Sequence, residues 1–153
     1  MKQFTFLAML IFAALAPRAQ NNKIEEDAVK GAINALFDGM RTSDTTLANT
    51  AFAEKCIMQT IVKTKDGKIT VRNEDPAKFV SSLAGTHPKY DERIQFTKIL
   101  IDGDLASVWT DYKFFLGDQF SHCGVNSFQL LKTNKGWKII YLIDTRRKDN
   151  CNF

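Results

Sequence analysis

From residue 92 onward the chain is built almost wholly of strand-forming residues, and three tight-turn signals divide that stretch into four: Asp102-Gly103, Gly117-Asp118 and Thr133-Asn134-Lys135-Gly136. Turns this short join only antiparallel neighbours, so the second half of the chain is expected to be a four-strand meander. Turn length also fixes register, and register decides which side chains share a face. A two-residue turn at Asp102-Gly103 sets Phe96 opposite Trp109 and Ile94 opposite Asp111. One at Gly117-Asp118 sets Lys113 opposite His122, Asp111 opposite Gly124 and Trp109 opposite Asn126. A three-residue loop with Gly136 in the left-handed position sets Asn126 opposite Asp144, Gly124 opposite Arg146 and Cys123 opposite Arg147.

These registers predict a hollow where Gly124 supplies no side chain, ringed by Trp109, Asp111, His122, Asn126, Asp144 and Arg146. The same face turns apolar through Phe128, Leu130, Ile140 and Leu142, which suits a cover of helices and a small-molecule pocket. The other face carries Val108, Thr110, Tyr112, Cys123, Val125, Leu131, Trp137, Ile139, Tyr141 and Ile143, too apolar for water. A homodimer joined through that outer sheet face, or a second layer over it, is therefore expected.

The first half supplies the cover. Ile24, Ala28, Ala32, Ile33, Leu36, Phe37 and Met40 recur at helical spacing, with Glu25, Glu26 and Asp27 in the first turn, which predicts a helix over 23–41. Ser43-Asp44 reads as the cap of a short second helix carrying Leu47, Ala51 and Phe52. Residues 56–64 and 68–72 flank the hairpin signal Asp66-Gly67, and Asp75-Pro76 opens a third helix ending at Gly85.

Ahead of these lies Met1-Lys2-Gln3, an apolar run from Phe4 to Ala16 broken only by Thr5, then Pro17-Arg18-Ala19-Gln20. That pattern reads as a secretory signal, too short to span a bilayer, with cleavage expected after Ala19 and a periplasmic or secreted product. Residues 20–153 then form one domain, since about 130 residues suffice for one ordinary domain and not for two. The formal charge of +4 falls by two when Lys2 and Arg18 leave. So mild a charge, with Arg146-Arg147-Lys148 as the longest basic run, gives no reason to propose nucleic acid as a partner, or membrane once the signal is cut.

Three cysteines, Cys56, Cys123 and Cys151, have no zinc-like spacing. In an oxidising compartment one disulfide and one buried thiol is the natural division, and Cys123 with Cys151 is the expected pair, since Cys151 follows the residue opposite Cys123 by four positions. There is no G-x-G-x-x-G, Walker loop or H-E-x-x-H, so neither cofactor nor metal is expected.

The segment Ser121-His122-Cys123-Gly124-Val125-Asn126-Ser127-Phe128, followed by Gly136-Trp137-Lys138-Ile139 and Asp144-Thr145-Arg146-Arg147, resembles the nuclear transport factor 2-like superfamily, and within it the branch labelled lumazine-binding. The resemblance covers residues 23–151. It implies an α+β fold, with N-terminal helices packed on a strongly curved, mostly antiparallel sheet in a cone-shaped, cystatin-like roll, usually dimeric. It carries over no catalytic residue, because that fold serves isomerases, cyclases, dehydratases and non-catalytic binders alike.

Two functional readings lead, ahead of an interaction module acting through the apolar outer sheet face. In the first the chain is an exported binder of a small molecule, with Trp109, Asp111, His122, Asn126, Asp144 and Arg146 around it. In the second it is a cofactor-free isomerase or lyase of the ketosteroid isomerase type, with His122 and either Asp111 or Asp144 moving a proton. The bland counterparts are an Asp111–Arg146 cross-strand ion pair, a core position for Trp109 and a hydrogen-bonded structural role for His122. Cys123 and His122 are adjacent on one strand and so point to opposite faces, which excludes a nucleophile–base pair.

Overall fold

The computed structural model describes residues 16–151 and 153, with side chains from residue 22 onward. Helix α1 spans Ala16–Thr42 and α2 Thr45–Thr50; strands β1 (Phe52–Lys63) and β2 (Ile69–Glu74) form a hairpin; α3 is Pro76–Ser82. Strands β3 (Tyr90–Asp102), β4 (Leu105–Leu116), β5 (Gln119–Thr133) and β6 (Gly136–Thr145) complete a six-stranded sheet in the order β2-β1-β6-β5-β4-β3. Every pairing is antiparallel except β1 on β6. This is the α+β architecture expected from the sequence, meander included. The apolar run Phe4–Ala16 lies, all but its last residue, outside the described residues, so the cleavage expectation is not addressed by the structure.

Local chemistry sets the helices. Asp44 caps α2 by accepting from the Leu47 amide at 2.9 Å, and Asp75 caps α3 by accepting from Ala77 and Lys78. The sharp α1–α2 turn is possible because Gly39 has no side chain: a Cβ there would lie 2.5 Å from the Ala48 nitrogen. Phe52, expected on the second helix, instead opens β1. Val29, Ile33, Leu36, Phe37 and Met40 of α1 pack on the inner sheet face, meeting Val108, Phe128, Leu130, Ile139 and Leu142 in the core. The cover is pinned at one end by Glu25, which accepts from Lys132 and from the Trp137 indole. At the other end Arg41 holds Asp91 at 2.9 Å. Among the described residues no helix is long and apolar enough to cross a membrane.

Register is where the sheet departs from expectation. The first meander turn is Gly103-Asp104, with Asp102 paired to Leu105, and an extra residue, Thr97, then interrupts β3. The Thr97 hydroxyl donates to the Trp109 carbonyl at 3.0 Å. As a result Phe96 faces Thr110 and Ile94 faces Tyr112. The second turn is Gly117-Asp118 as expected, but Ser121 is extruded two residues later, so His122 pairs with Phe114, Gly124 with Tyr112 and Asn126 with Thr110. The third loop contains Asn134-Lys135, with Gly136 left-handed at φ +87°, and Ile140 is extruded from β6. That last shift restores the expected pairing of Asn126 with Asp144, and Cys123 bridges Arg147 as the sequence implied.

Each bulge turns part of a strand over, because side chains alternate faces and one extra residue inverts the count. Trp109 and Asp111 are thereby placed on the outer face, Trp109 with 48% of its surface exposed, and not beside His122. Val108, Thr110, Tyr112, Trp137 and Ile139, expected outside, are buried on the inner face, whereas Ile140 has left it. Val125, Leu131, Tyr141 and Ile143 lie outside as expected.

Candidate functional site

Between the inner sheet face, α1 and α3 lies a cavity of about 340 Å³. Leu36, Phe37 and Met40 of α1, Phe79 of α3, Met58 of β1 and Leu142 of β6 give it apolar walls, and Tyr90, Phe114 and Leu116 continue them along the β3–β4 side. Its polar end is formed by Glu92, His122, Asn126, Asp144 and Arg146. Four of the six residues expected to share a site are therefore brought together, and Trp109 and Asp111 are not among them.

The register explains the grouping. Cross-strand partners share a face, so Glu92, Phe114 and His122 form one row, Ile94, Tyr112 and Gly124 the next, and Phe96, Thr110, Asn126, Asp144 and Thr60 the third. The middle row holds no hollow. A Cβ on Gly124 would stand 1.8 Å from the Thr145 carbonyl oxygen and 2.8 Å from Cε1 of Tyr112, so the missing side chain makes room for that ring and for the neighbouring strand. The Tyr112 hydroxyl crosses the gap and donates to the Thr145 carbonyl at 2.8 Å, with Oδ2 of Asp144 at 3.2 Å. Burial, with Glu92 and Asp144 nearby, raises the Tyr112 pKa, so the phenol stays protonated.

Arg146 is not paired across the sheet with Asp111: its Nε donates to Asp144 at 2.8 Å. His122 stands edge-on to Tyr112, with ring centres 5.7 Å apart, and tilted against Phe114 at 5.1 Å, while its Nδ1 meets the Ser121 hydroxyl at 3.0 Å. Burial first, and the Arg146 charge second, lower the His122 pKa, so the imidazole is neutral at physiological pH.

Glu92 is the functional candidate that the sequence reading passed over. Its Oε1 accepts from the Asn126 amide at 2.8 Å, and burial pushes its pKa up to about 7, aided by the Asp144 charge and opposed by Asn126 and Arg146. A signal for it exists in the sequence. Ile94 and Phe96 alternate inward, and the same period of two carries Glu92 onto the inner face, where a carboxyl needs a reason to be. Its strand is fixed by neighbours: Asp91 accepts from Arg41 and Arg93, both at 2.9 Å, and Nη2 of Arg41 reaches the Glu92 carbonyl at 3.4 Å.

The Cys123–Cys151 disulfide is present, tying the segment after β6 to β5. Cys56 is the free thiol; it is half-buried, and burial pushes its pKa up to about 11, which leaves it unreactive.

No family model and no curated protein matches this chain. Solved structures do. A nuclear transport factor 2-like protein of unknown function from Shewanella baltica superposes with a TM-score of 0.65 at 18% identity, over 82% of this chain and 95% of that one. A domain of unknown function with a cystatin-like fold from Nostoc punctiforme gives 0.63 at 15% identity, over 83% and 80%. A further nuclear transport factor 2-like protein of unknown function, from Silicibacter pomeroyi, gives 0.62 at 12% identity, over 82% and 98%. At such identities the likeness is one of fold alone, and none of these structures supports the lumazine-binding branch. Helices followed by a curled six-stranded mixed sheet are the fold of these nuclear transport factor 2-like and cystatin-like structures, and that is the fold of this chain.

Proposed function

We propose that this chain is an exported domain that binds a small molecule in the cavity beneath α1 and α3, and that it works as a homodimer joined through its outer sheet face. The observation that carries the reading is the cavity itself, with apolar walls and a cluster of polar groups at one end. Export is supported by the signal-like N-terminus and is compatible with a disulfide. The dimer is supported by the outer-face apolar residues, Trp109 with Leu105, Leu131 and Leu100, which are about half exposed in a single chain. Native mass spectrometry of protein purified from its own host is expected to give twice the chain mass and a retained small molecule. Retention should weaken in His122→Ala. A ligand-free monomer would count against both parts of the reading.

A second reading is favoured by Glu92 alone. In a cofactor-free isomerase or lyase the proton-transferring carboxylate must be shielded from water and not neutralised by an arginine, and Glu92, partly buried and bonded to a neutral amide, comes nearer to that condition than Asp144, tied to Arg146. Asp111 faces the wrong way for the role. Catalysed deuterium exchange next to the carbonyl of a cyclic ketone such as 2-tetralone, abolished in Glu92→Gln, is the expected signature. Exchange at the buffer rate in wild type would remove this reading and leave the first standing.

A further inference from the structure

The cavity has one cationic side chain among its described lining residues, Arg146, and three carboxyls, Glu74, Glu92 and Asp144. The cation is already engaged, since Arg146 donates to Asp144 at 2.8 Å. Glu74 is held by Arg72 at 2.6 Å. Glu92 accepts from a neutral amide. We propose that the cavity takes an uncharged molecule, an apolar body bearing an acceptor oxygen that the Glu92 carboxyl meets, and refuses the corresponding anion. The inference rests on the reading of this cavity as a ligand site and adds the chemical class of the occupant.

The groups around Glu92 are neutral or already paired. From β5, Asn126 donates to Oε1, which leaves the other oxygen as the one that can carry a proton toward a ligand. From β4, Tyr112 is a phenol kept neutral, and its hydroxyl is committed to the Thr145 carbonyl and Asp144. His122, also on β5, is held neutral by burial and by Arg146. Just past β6, Arg146 is paired through Nε with Asp144, while α1 approaches through Arg41, which is held by Asp91 and Asp38 and reaches Glu92 at its backbone carbonyl. An anion entering here would lose its hydration and find the one cationic lining side chain among the described residues, Arg146, already charge-paired through Nε with the Asp144 carboxylate that the anion would also face. A carbonyl or ether oxygen would instead receive a hydrogen bond from a protonated carboxyl. With the Glu92 pKa at about 7, that donor is present below neutrality and withdrawn above it.

Three matched probes test this on the whole folded protein: 2-acetylnaphthalene, 2-naphthoate and 2-naphthylmethylammonium, titrated by calorimetry at pH 6 and pH 8.5. The ketone is expected to bind at least about tenfold more tightly than either ion at pH 6, and to weaken about tenfold or more by pH 8.5 as Glu92 ionises. Glu92→Gln, which keeps a donor that cannot ionise, should bind the ketone equally at both pH values, and Glu92→Ala should lose it. Equal or tighter binding of either ion overturns the inference, and so does ketone binding in wild type that ignores pH, an arm that needs no variant to fold. Rejection of all three probes would remove the ligand-site reading itself and the inference with it.

Discussion

Asp91 and Glu92 are neighbours on β3, and their carboxyls are pushed in opposite directions. For Glu92 the charged form is disfavoured, with burial the largest cause, so the native state holds its proton more tightly than the unfolded chain does. Its contribution to stability is complete below the ordinary glutamate value, around pH 4.5, and declines as pH rises through about 7. The span is on the order of 3 kcal/mol, because each tenfold gain in proton affinity on folding is worth about 1.4 kcal/mol. Chemical denaturation from pH 4.5 to 8 should reveal a fall that Glu92→Gln flattens, and an unchanged slope in that variant would mean the carboxyl is not desolvated. For Asp91, burial works against the charge, but Arg41 and Arg93 outweigh it and the pKa is lowered. The stability that this carboxylate adds is present above the ordinary aspartate value and is lost as acid protonates it, a loss that Asp91→Asn should remove from the acid limb.

Strand registers are decided one scale up, by single extruded residues. Thr97, Ser121 and Ile140 each add one residue to a hairpin arm, and together they bring Tyr112, His122, Asn126 and Asp144 to one face while sending Trp109 to the other. At Gly124 the arrangement tolerates no side chain, because the nearest obstacle is backbone, the Thr145 carbonyl, which cannot swing aside as a flexible side chain can. Gly124→Ala is expected to cost about 3 kcal/mol or more in thermal or denaturant unfolding. A loss below about 1 kcal/mol would mean that β5 and β6 separate easily at this point. The end of β6 has a second tether in the Cys123–Cys151 bridge, whose sequence separation is 28. Replacing both cysteines by serine should lower stability by about 3 kcal/mol, measurable as a drop in Tm that reductant reproduces in the wild-type protein and not in the variant.

Under the proposed reading the two faces of the sheet have separate tasks at the scale of the molecule, cavity inside and docking surface outside. Trp109→Asp, on the outer face, is expected to shift analytical ultracentrifugation from dimer to monomer while leaving 2-acetylnaphthalene affinity at pH 6 within about twofold of wild type. A loss of probe binding without a change in mass would place Trp109 at the cavity after all. Whereas Asn126 meets Asp144 as expected only because the Ile140 bulge offsets a shorter loop, the meander, the helix caps at Asp44 and Asp75, the apolar stripe of α1 and the Cys123–Cys151 pair were legible in the residue order. They depend on local rules, on turn chemistry and on periodicity, which act within a few residues. Turn positions alone could not reveal whether an arm is bulged further along, because an extruded residue carries no compulsory side-chain type: here the three are threonine, serine and isoleucine. Where those residues fall is settled by how the curved sheet closes on α1, and with it which half of β4 looks inward. The amino-acid order therefore determined the strands, their sequence and their cover. Only the packed sheet decided that Glu92 and Tyr112 stand with His122, and that Trp109 and Asp111 do not, because alternation on a strand converts one inserted residue into a change of side.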